Sequence, residues 1–180
     1  GASPPVPCRT AAICCALRSF MGQGRRTLYI IPVDNILVGT ASWTDKTLVA
    51  CRRFYPQQAR SAEARLRYYA SQFPLVEVDS SYYGMPAPAN SKLWADRTPA
   101  DFVFNVKAFR LFTGHQTSPV VLPKDLQRSL GPHPPKLLYW RDTPADIREE
   151  LWKRFIEALA PLRHAGKPGA VHFQVAPWLL

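Results

Sequence analysis

Leu75-Val76-Glu77-Val78-Asp79-Ser80-Ser81-Tyr82-Tyr83 is the stretch whose alternation sets the reading of this chain. Successive side chains of a strand point to opposite faces, so Leu75, Glu77 and Asp79 share one face while Val76 and Val78 share the other. The valine face predicts a cover of helices. The two carboxylates then point to the inside of a sheet or barrel. A second run repeats the division: Phe102, Phe104 and Val106 lie on one face of residues 102–107, and Val103, Asn105 and Lys107 on the other. Each run ends in a charged residue set against its apolar face.

Outward from these two strands, short apolar runs alternate with helical stretches, the pattern of α/β units around a parallel sheet. Residues 36–40, Ile-Leu-Val-Gly-Thr, read as a buried strand, followed by a loop with Ser42, Trp43, Thr44 and Asp45. Ser61 suits a helix cap, Glu63 its first turn, and Leu66, Tyr69, Ala70 and Phe73 its apolar face, with Pro74 as the stop. Ser80 to Gly84 is expected as a loop. A short helix over 89–97 places Leu93 and Trp94 inward, and 98–101 is a turn. Residues 108–142 form a long connection with one short helix near 124–130, a length usual in functional segments or insertions. The longest helix spans 146–164, with Ile147, Leu151, Phe155, Ala158 and Leu162 as its core stripe and Gly166 as its end. Residues 170–176 complete a fourth strand, in which Val171, Phe173 and Val175 alternate with His172 and Gln174.

Composition narrows the classes of function. The 180 residues are 47% hydrophobic and include 18 prolines, roughly twice the usual share, which places much of the chain in turns and element starts. Such a chain is globular and about one domain long. It has no apolar run of about 18 residues, so a membrane span is not expected. With 23 Lys+Arg against 13 Asp+Glu the net charge is +10, which raises nucleic acid as a partner. The charges are nevertheless dispersed, and no zinc-finger spacing or RNA-binding aromatic signature accompanies them. A solvated basic surface is the alternative. Cys8, Cys14, Cys15 and Cys51 lack metal-type pairing and fit reduced thiols of a cytoplasmic protein. Residues 1–35 read as a poorly ordered extension, small and proline-rich, then briefly apolar, then basic. As a signal peptide they are poor, and the segment is expected to be translation upstream of the domain or a dispensable tail. The domain is expected over 36–180.

The segments Val38-Gly39-Thr40-Ala41-Ser42-Trp43, Phe54-Tyr55-Pro56, Val76 through Tyr83, Lys107-Ala108-Phe109-Arg110-Leu111-Phe112-Thr113-Gly114-His115 and Phe173-Gln174-Val175-Ala176-Pro177-Trp178 together resemble the YecE-like proteins, described as a domain of unknown function. The resemblance implies a TIM barrel, of which this chain would supply about the first four β/α units: a parallel sheet with outer helices, part of a (β/α)8 barrel. Strands five to eight would then be missing, so a fragment or a shortened gene product is expected, with two sheet edges unpaired. The family usually carries Asn where this chain has Asp79, a departure that bears on any charge-based role there.

In a barrel of this class reactive groups gather where strands end, which would bring Trp43, Glu77, Asp79, Ser80, Tyr82, Lys107, Arg110, His115 and Gln174 to one rim. Glu77, an inward carboxylate, needs a cation beside it or a raised pKa; it is either a general acid/base or a structural partner of Lys107 or of a backbone amide. Lys107 has three readings: ion pair, anion holder or Schiff-base amine. Arg110 suits an anionic substrate, and His115 can shuttle protons near neutrality. Trp43, Tyr82 and Tyr83 form either an aromatic wall or plain packing, and Asp79, Ser80 and Gln174 are candidate substrate contacts. Glu77 and Asp79 could share a divalent cation with His115, but no recognised ligand spacing supports it, and neither metal nor cofactor is expected. The absence of a Gly-rich phosphate loop and of a Gly-x-Ser-x-Gly elbow argues against nucleotide-driven chemistry and a serine hydrolase. The reading is a small-molecule enzyme using acid/base chemistry on an anionic or polyhydroxylated substrate. The alternatives are a non-catalytic basic protein that docks nucleic acid, and a shortened product without a function of its own.

Overall fold

The structure, a computed structural model, describes residues 36–179. Four strands, β1 (Gly39–Ala41), β2 (Leu75–Val78), β3 (Val103–Lys107) and β4 (Pro168–His172), form one parallel sheet in chain order. Parallel neighbours need a crossover, and each crossover here is helical. α1 (Lys46–Ala50) and α2 (Ala62–Ala70) join β1 to β2; α3 (Ser80–Tyr83) and α4 (Pro88–Asp96) join β2 to β3; α5 (Lys124–Ser129) and α6 (Ala145–His164) join β3 to β4. This is the expected α/β layout, and sequential parallel strands of this kind are the topology of the first half of a β/α barrel.

The apolar faces of β2 and β3 are the packed ones. Val76, Val78, Phe104 and Val106 are buried against Leu66 and Tyr69 of α2, Trp94 of α4 and Phe155 and Leu162 of α6. The predicted stripe of α6 is buried at all five positions. Its N-terminal half serves a second core, in which Ile147 and Leu151 join Phe109, Leu111, Leu122, Leu126 and Leu138. The long connection after β3 therefore has a core of its own. It is built from α5 and three short 3-10 turns, Arg110–Thr113, Pro119–Val121 and Trp140–Asp142.

Polar ties fix the layers. The buried Tyr69 hydroxyl accepts from Thr40 N (2.7 Å) and donates to Leu75 O (3.1 Å), pinning β1 to β2 from the helix side. Lys167, at the entry to β4, is buried and donates to Ala95 O (2.6 Å) in the last turn of α4 and to Thr98 O (2.8 Å) and Thr98 Oγ1 (3.0 Å) just beyond it. Its pKa is lowered by burial, with Asp96 and Asp101 opposing. Arg154 of α6 forks onto Asp125 of α5, Nη1 to Oδ1 at 3.0 Å and Nη2 to Oδ2 at 2.5 Å, while its Nε donates to Glu150 at 2.7 Å.

Several expectations are corrected. Ile36, Leu37 and Val38 are 67%, 49% and 48% exposed, and the first strand begins only at Gly39; β1 is an edge of the sheet among the described residues, and an edge covers less apolar surface than a centre. The loop at 42–45 leads directly into α1, because Asp45 Oδ1 accepts from Thr47 N (2.9 Å) and Leu48 N (3.0 Å) as an N-cap. Residues 80–83 form a helical turn rather than a loop. In α4, Ser91, Trp94 and Ala95 face inward and Leu93 is exposed, as the helical period from Trp94 requires. β4 ends at His172, short of the predicted Ala176, and all five of its residues are exposed. The chain then leaves the sheet, and Ala176 N donates to Thr113 O at 3.0 Å. Cys51 is a free thiol that donates to Leu48 O (3.1 Å). The readings for residues 1–35, with Cys8, Cys14 and Cys15, lie outside the described residues. No helix among the described residues is long and apolar enough to cross a membrane.

The Arg154 fork beside Asp125 lowers that carboxyl from 3.8 to about 2. A depressed carboxylate contributes stability that is complete above its unfolded pKa and lost as pH falls through the folded one. Urea midpoints should therefore separate native protein from Asp125→Asn above about pH 4 and converge toward pH 2. A gap that persists unchanged at pH 2 would refute the assignment.

Candidate functional site

The sheet register builds the site. Glu77 pairs with Asn105 and Val78 with Val106, so the end of β2 lies beside Lys107, while Lys107 itself pairs with His172 of β4. Lys107 Nζ lies 2.6 Å from Asp79 Oδ1 and 3.6 Å from Glu77 Oε1. The other Glu77 oxygen, Oε2, lies 2.9 Å from His172 Nδ1. Three neighbouring strand ends thus deliver four polar side chains to one face of the sheet, opposite the helices.

Lys107 shows which of its three readings the geometry favours. Burial acts to lower its pKa, but the hydrogen bond and charge of Asp79, joined by Glu77, outweigh it, and the net direction is upward. Its amine is held as an ammonium, which contradicts a free-amine Schiff-base role at neutral pH. The ammonium also occupies the place between Glu77 and Asp79 where a shared cation would sit. Among the described residues no group of three or more His, Cys, Asp or Glu is arranged to hold a metal.

His172 was legible as a strand residue but carried no site role in the sequence reading. Its signal was alternation: it shares a face with Gln174 and lies level with Lys107. What brings it to Glu77 is an irregularity in β4. Phe104 pairs with Pro168 but Val106 pairs with Val171, so β4 carries one extra residue. Asn105 Oδ1 accepts from Ala170 N at 2.8 Å, meeting the backbone group that the irregular ladder leaves unpaired. Gly169 permits that approach, since a Cβ there would lie 2.2 Å from Asn105 Oδ1 and 2.8 Å from Val103 Cγ1.

A second group surrounds Tyr82. Ser81, buried in α3, reaches the carbonyls of both Val78 (2.9 Å) and Lys107 (2.7 Å) and so ties the turn to the ends of β2 and β3. The Tyr82 ring then has Lys107 Nζ at 6.0 Å, Arg110 Cζ at 5.6 Å and the His115 ring at 5.4 Å from its centroid. His115 also meets Trp178 edge-on at 5.8 Å. Thr113 Oγ1 lies 2.9 Å from Arg110 O and 2.9 Å from His115 Nδ1. A hydroxyl has one hydrogen, and the carbonyl can only accept, so His115 Nδ1 carries the proton and Nε2 is the acceptor in the neutral ring. Burial, and secondarily the Arg110 charge, lower the pKa of His115. Alongside lies a groove of about 620 Å³ lined by Gly114, Gln116, Tyr139, Trp140, Arg141 and Trp178.

Not every predicted residue joins this rim. Trp43 belongs to the helix-side core, edge-on to Trp94 at 5.8 Å, which corrects the proposed Trp43/Tyr82 wall: Tyr82 meets Tyr83 and His115 instead. Ser80 and Gln174 are exposed and make no side-chain hydrogen bond among the described residues. His115 is held by Thr113 rather than by the carboxylates.

Fold and site together define a β/α protein with a charged cluster at the ends of its parallel strands. The family described as "Protein of unknown function DUF72" matches residues 37–180, and the chain belongs to that family, which bears out the YecE-like resemblance. It is 31% identical over 143 residues to the UPF0759 protein YunF of Bacillus subtilis (strain 168), covering 79% of this chain and 40% of that protein. Among solved structures it is similar to a DUF72 family protein of Enterococcus faecalis V583, with TM-score 0.48 and 23% identity over 78% of this chain and 39% of that one. A second structure of that protein gives TM-score 0.44 and 28% identity, covering 62% and 32% of the respective chains. The chain spans about two fifths of the length of the curated relative it matches.

The contacts of Gly169 make it the position on which β4 registry depends. Gly169→Ala should destabilise the chain by about 1–3 kcal/mol through overpacking and weaken the His172 contact with Glu77. Denaturant unfolding and the imidazole resonances of His172 read the two effects; a neutral substitution with an unchanged spectrum would contradict this account.

Proposed function

We propose that the strand-end cluster performs acid/base chemistry on a small polar molecule, with His172 as proton acceptor and Glu77 as the group that orients it. The observation that carries this reading is the 2.9 Å contact between Glu77 Oε2 and His172 Nδ1. An ionised carboxylate only accepts, so Nδ1 holds the proton and Nε2 is left as the base, and the imidazolium formed during turnover would lie beside a negative charge. His172 is half exposed, so a substrate can reach it. Lys107, itself paired with Asp79, holds Glu77 from its other oxygen. Proton removal from a hydroxyl, or from a carbon beside a carbonyl, is the reaction class that suits such a couple.

The +10 charge and the groove beside His115 support a second reading, docking of nucleic acid. In that groove Arg141 lies 5.9 Å from the Tyr139 ring, and in an adjoining pocket that shares Phe112 and Trp140, Arg148 lies 5.5 Å from the Trp140 ring, so cations and aromatic faces are interleaved.

For the first reading, turnover across a panel of sugars, hydroxy acids and keto acids should fall about 10²–10⁴-fold in His172→Asn, and Glu77→Ala should leave His172 as a mixture of tautomers in long-range ¹H–¹⁵N spectra. Undiminished turnover together with a single tautomer in Glu77→Ala would end it. For the second, single-stranded DNA should bind with an affinity that drops steeply as salt rises. Salt-insensitive or absent binding, followed by fluorescence anisotropy, would remove it.

A further inference from the structure

We propose that Arg110 and His115 form an oxyanion subsite that holds a phosphate or carboxylate group of the ligand, across Tyr82 from the Lys107 cluster. The inference deepens the acid/base reading by naming the class of substrate: a small molecule with an anionic end.

The charges around Tyr82 are unequal. Lys107 is matched by Asp79 and Glu77, and what remains of its charge is directed to them. Arg110 makes no ion pair among the described residues, and its Nε is buried with no hydrogen-bond partner. Its guanidinium lies over the Tyr82 ring, 5.6 Å from Cζ to the centroid. A guanidinium lying against an aromatic face keeps its planar fork free, and that fork fits two oxygens of a carboxylate or phosphate. A partnerless buried donor is uncommon in folded proteins and calls for an explanation. An oxyanion gripped by the two Nη groups gives this guanidinium the charge partner that it lacks among the described residues.

His115 supplies the complementary half. Its Nδ1 is committed to Thr113 Oγ1, whose hydrogen goes to the carbonyl of Arg110 itself, so one short turn fixes both groups. The uncommitted Nε2 accepts from a protonated phosphate oxygen in the neutral ring and donates to an oxyanion when the ring is charged. Both Tyr82 and Trp178 meet the imidazole edge-on, at 5.4 Å and 5.8 Å. Lys107 Nζ and Arg110 Cζ lie within 6.0 Å of the same ring centroid, so a small molecule anchored at Arg110 can extend toward Glu77 and His172.

Inorganic phosphate and acetate, titrated separately into the 180-residue chain, test this, with the His115 ring resonances followed by NMR. Among the described residues Arg110 is the charged group that acts on that ring. A saturable His115 shift with phosphate alone supports a phosphate-bearing ligand, and a shift with both anions supports a carboxylate as well. Arg110→Gln should weaken the response at least tenfold and, without anion, raise the His115 pKa, because a neighbouring positive charge has gone. Arg110→Lys keeps the charge, should preserve the low His115 pKa, and should still lose most of the anion affinity because the fork is absent. No saturable shift in the native chain, or an equal shift in Arg110→Gln or Arg110→Lys, would overturn the subsite. Phosphate binding should survive His172→Asn, so failure here and failure of the acid/base reading are told apart.

Discussion

The ammonium of Lys107, set between Asp79 and Glu77, ties the ends of β2 and β3 together on the face away from the helices. Charged side chains that are only partly open to water need partners, and these partners come from the adjacent strand. They meet only if β2 and β3 run parallel in the observed register, with Val78 beside Val106. A slip of one residue would turn the carboxylates toward the helices and the valines toward the rim. The same register that seals Val76, Val78, Phe104 and Val106 under α2, α4 and α6 therefore assembles the polar cluster opposite. Core and site are two outcomes of one constraint.

The fourth strand obeys that constraint less simply. Its residues are exposed, and it is held by specific devices: the amide of Asn105 capturing Ala170 N, the close approach allowed by Gly169, and Lys167 reaching the carbonyls at the end of α4. These bring an imidazole level with Lys107. The long connection between β3 and α6 plays a similar part on the other flank. Its small core and the Arg154 fork on Asp125 support the turn that carries Arg110, Thr113 and His115.

Two imidazoles result, each with Nδ1 engaged and Nε2 uncommitted, and their settings differ. His172 meets a carboxylate, whereas His115 meets a hydroxyl beside a guanidinium, and burial together with the Arg110 charge favours the neutral form of the His115 ring. Groups of the same kind in opposed fields can take different parts in proton transfer. Membership of the DUF72 family sets the fold in context but assigns no chemistry, so function has to be argued from these side chains.

Strand and helix alternation, the inward Glu77 and Lys107, the caps at Ser61 and Gly166 and the stripe of α6 were legible in the sequence because each follows from a local period or a local hydrogen bond. The helical turn at Ser80–Tyr83 was not, since the Ser81 hydroxyl sits between two carbonyls from different strands, one of them 26 residues away. Nor was the exposure of residues 36–38, because burial depends on what lies beside a strand as much as on what it contains. The role of His172 depended on a misfit between β3 and β4, and the role of Thr113 on where a single hydroxyl hydrogen is spent. By itself, then, the amino-acid order determined which residues of β2, β3 and α6 face the core and which face away from it, since side-chain periodicity is a property of the backbone. Only the tertiary structure decided which rim residues meet, because contacts across strands rest on register, bulges and the packing of segments far apart in the chain.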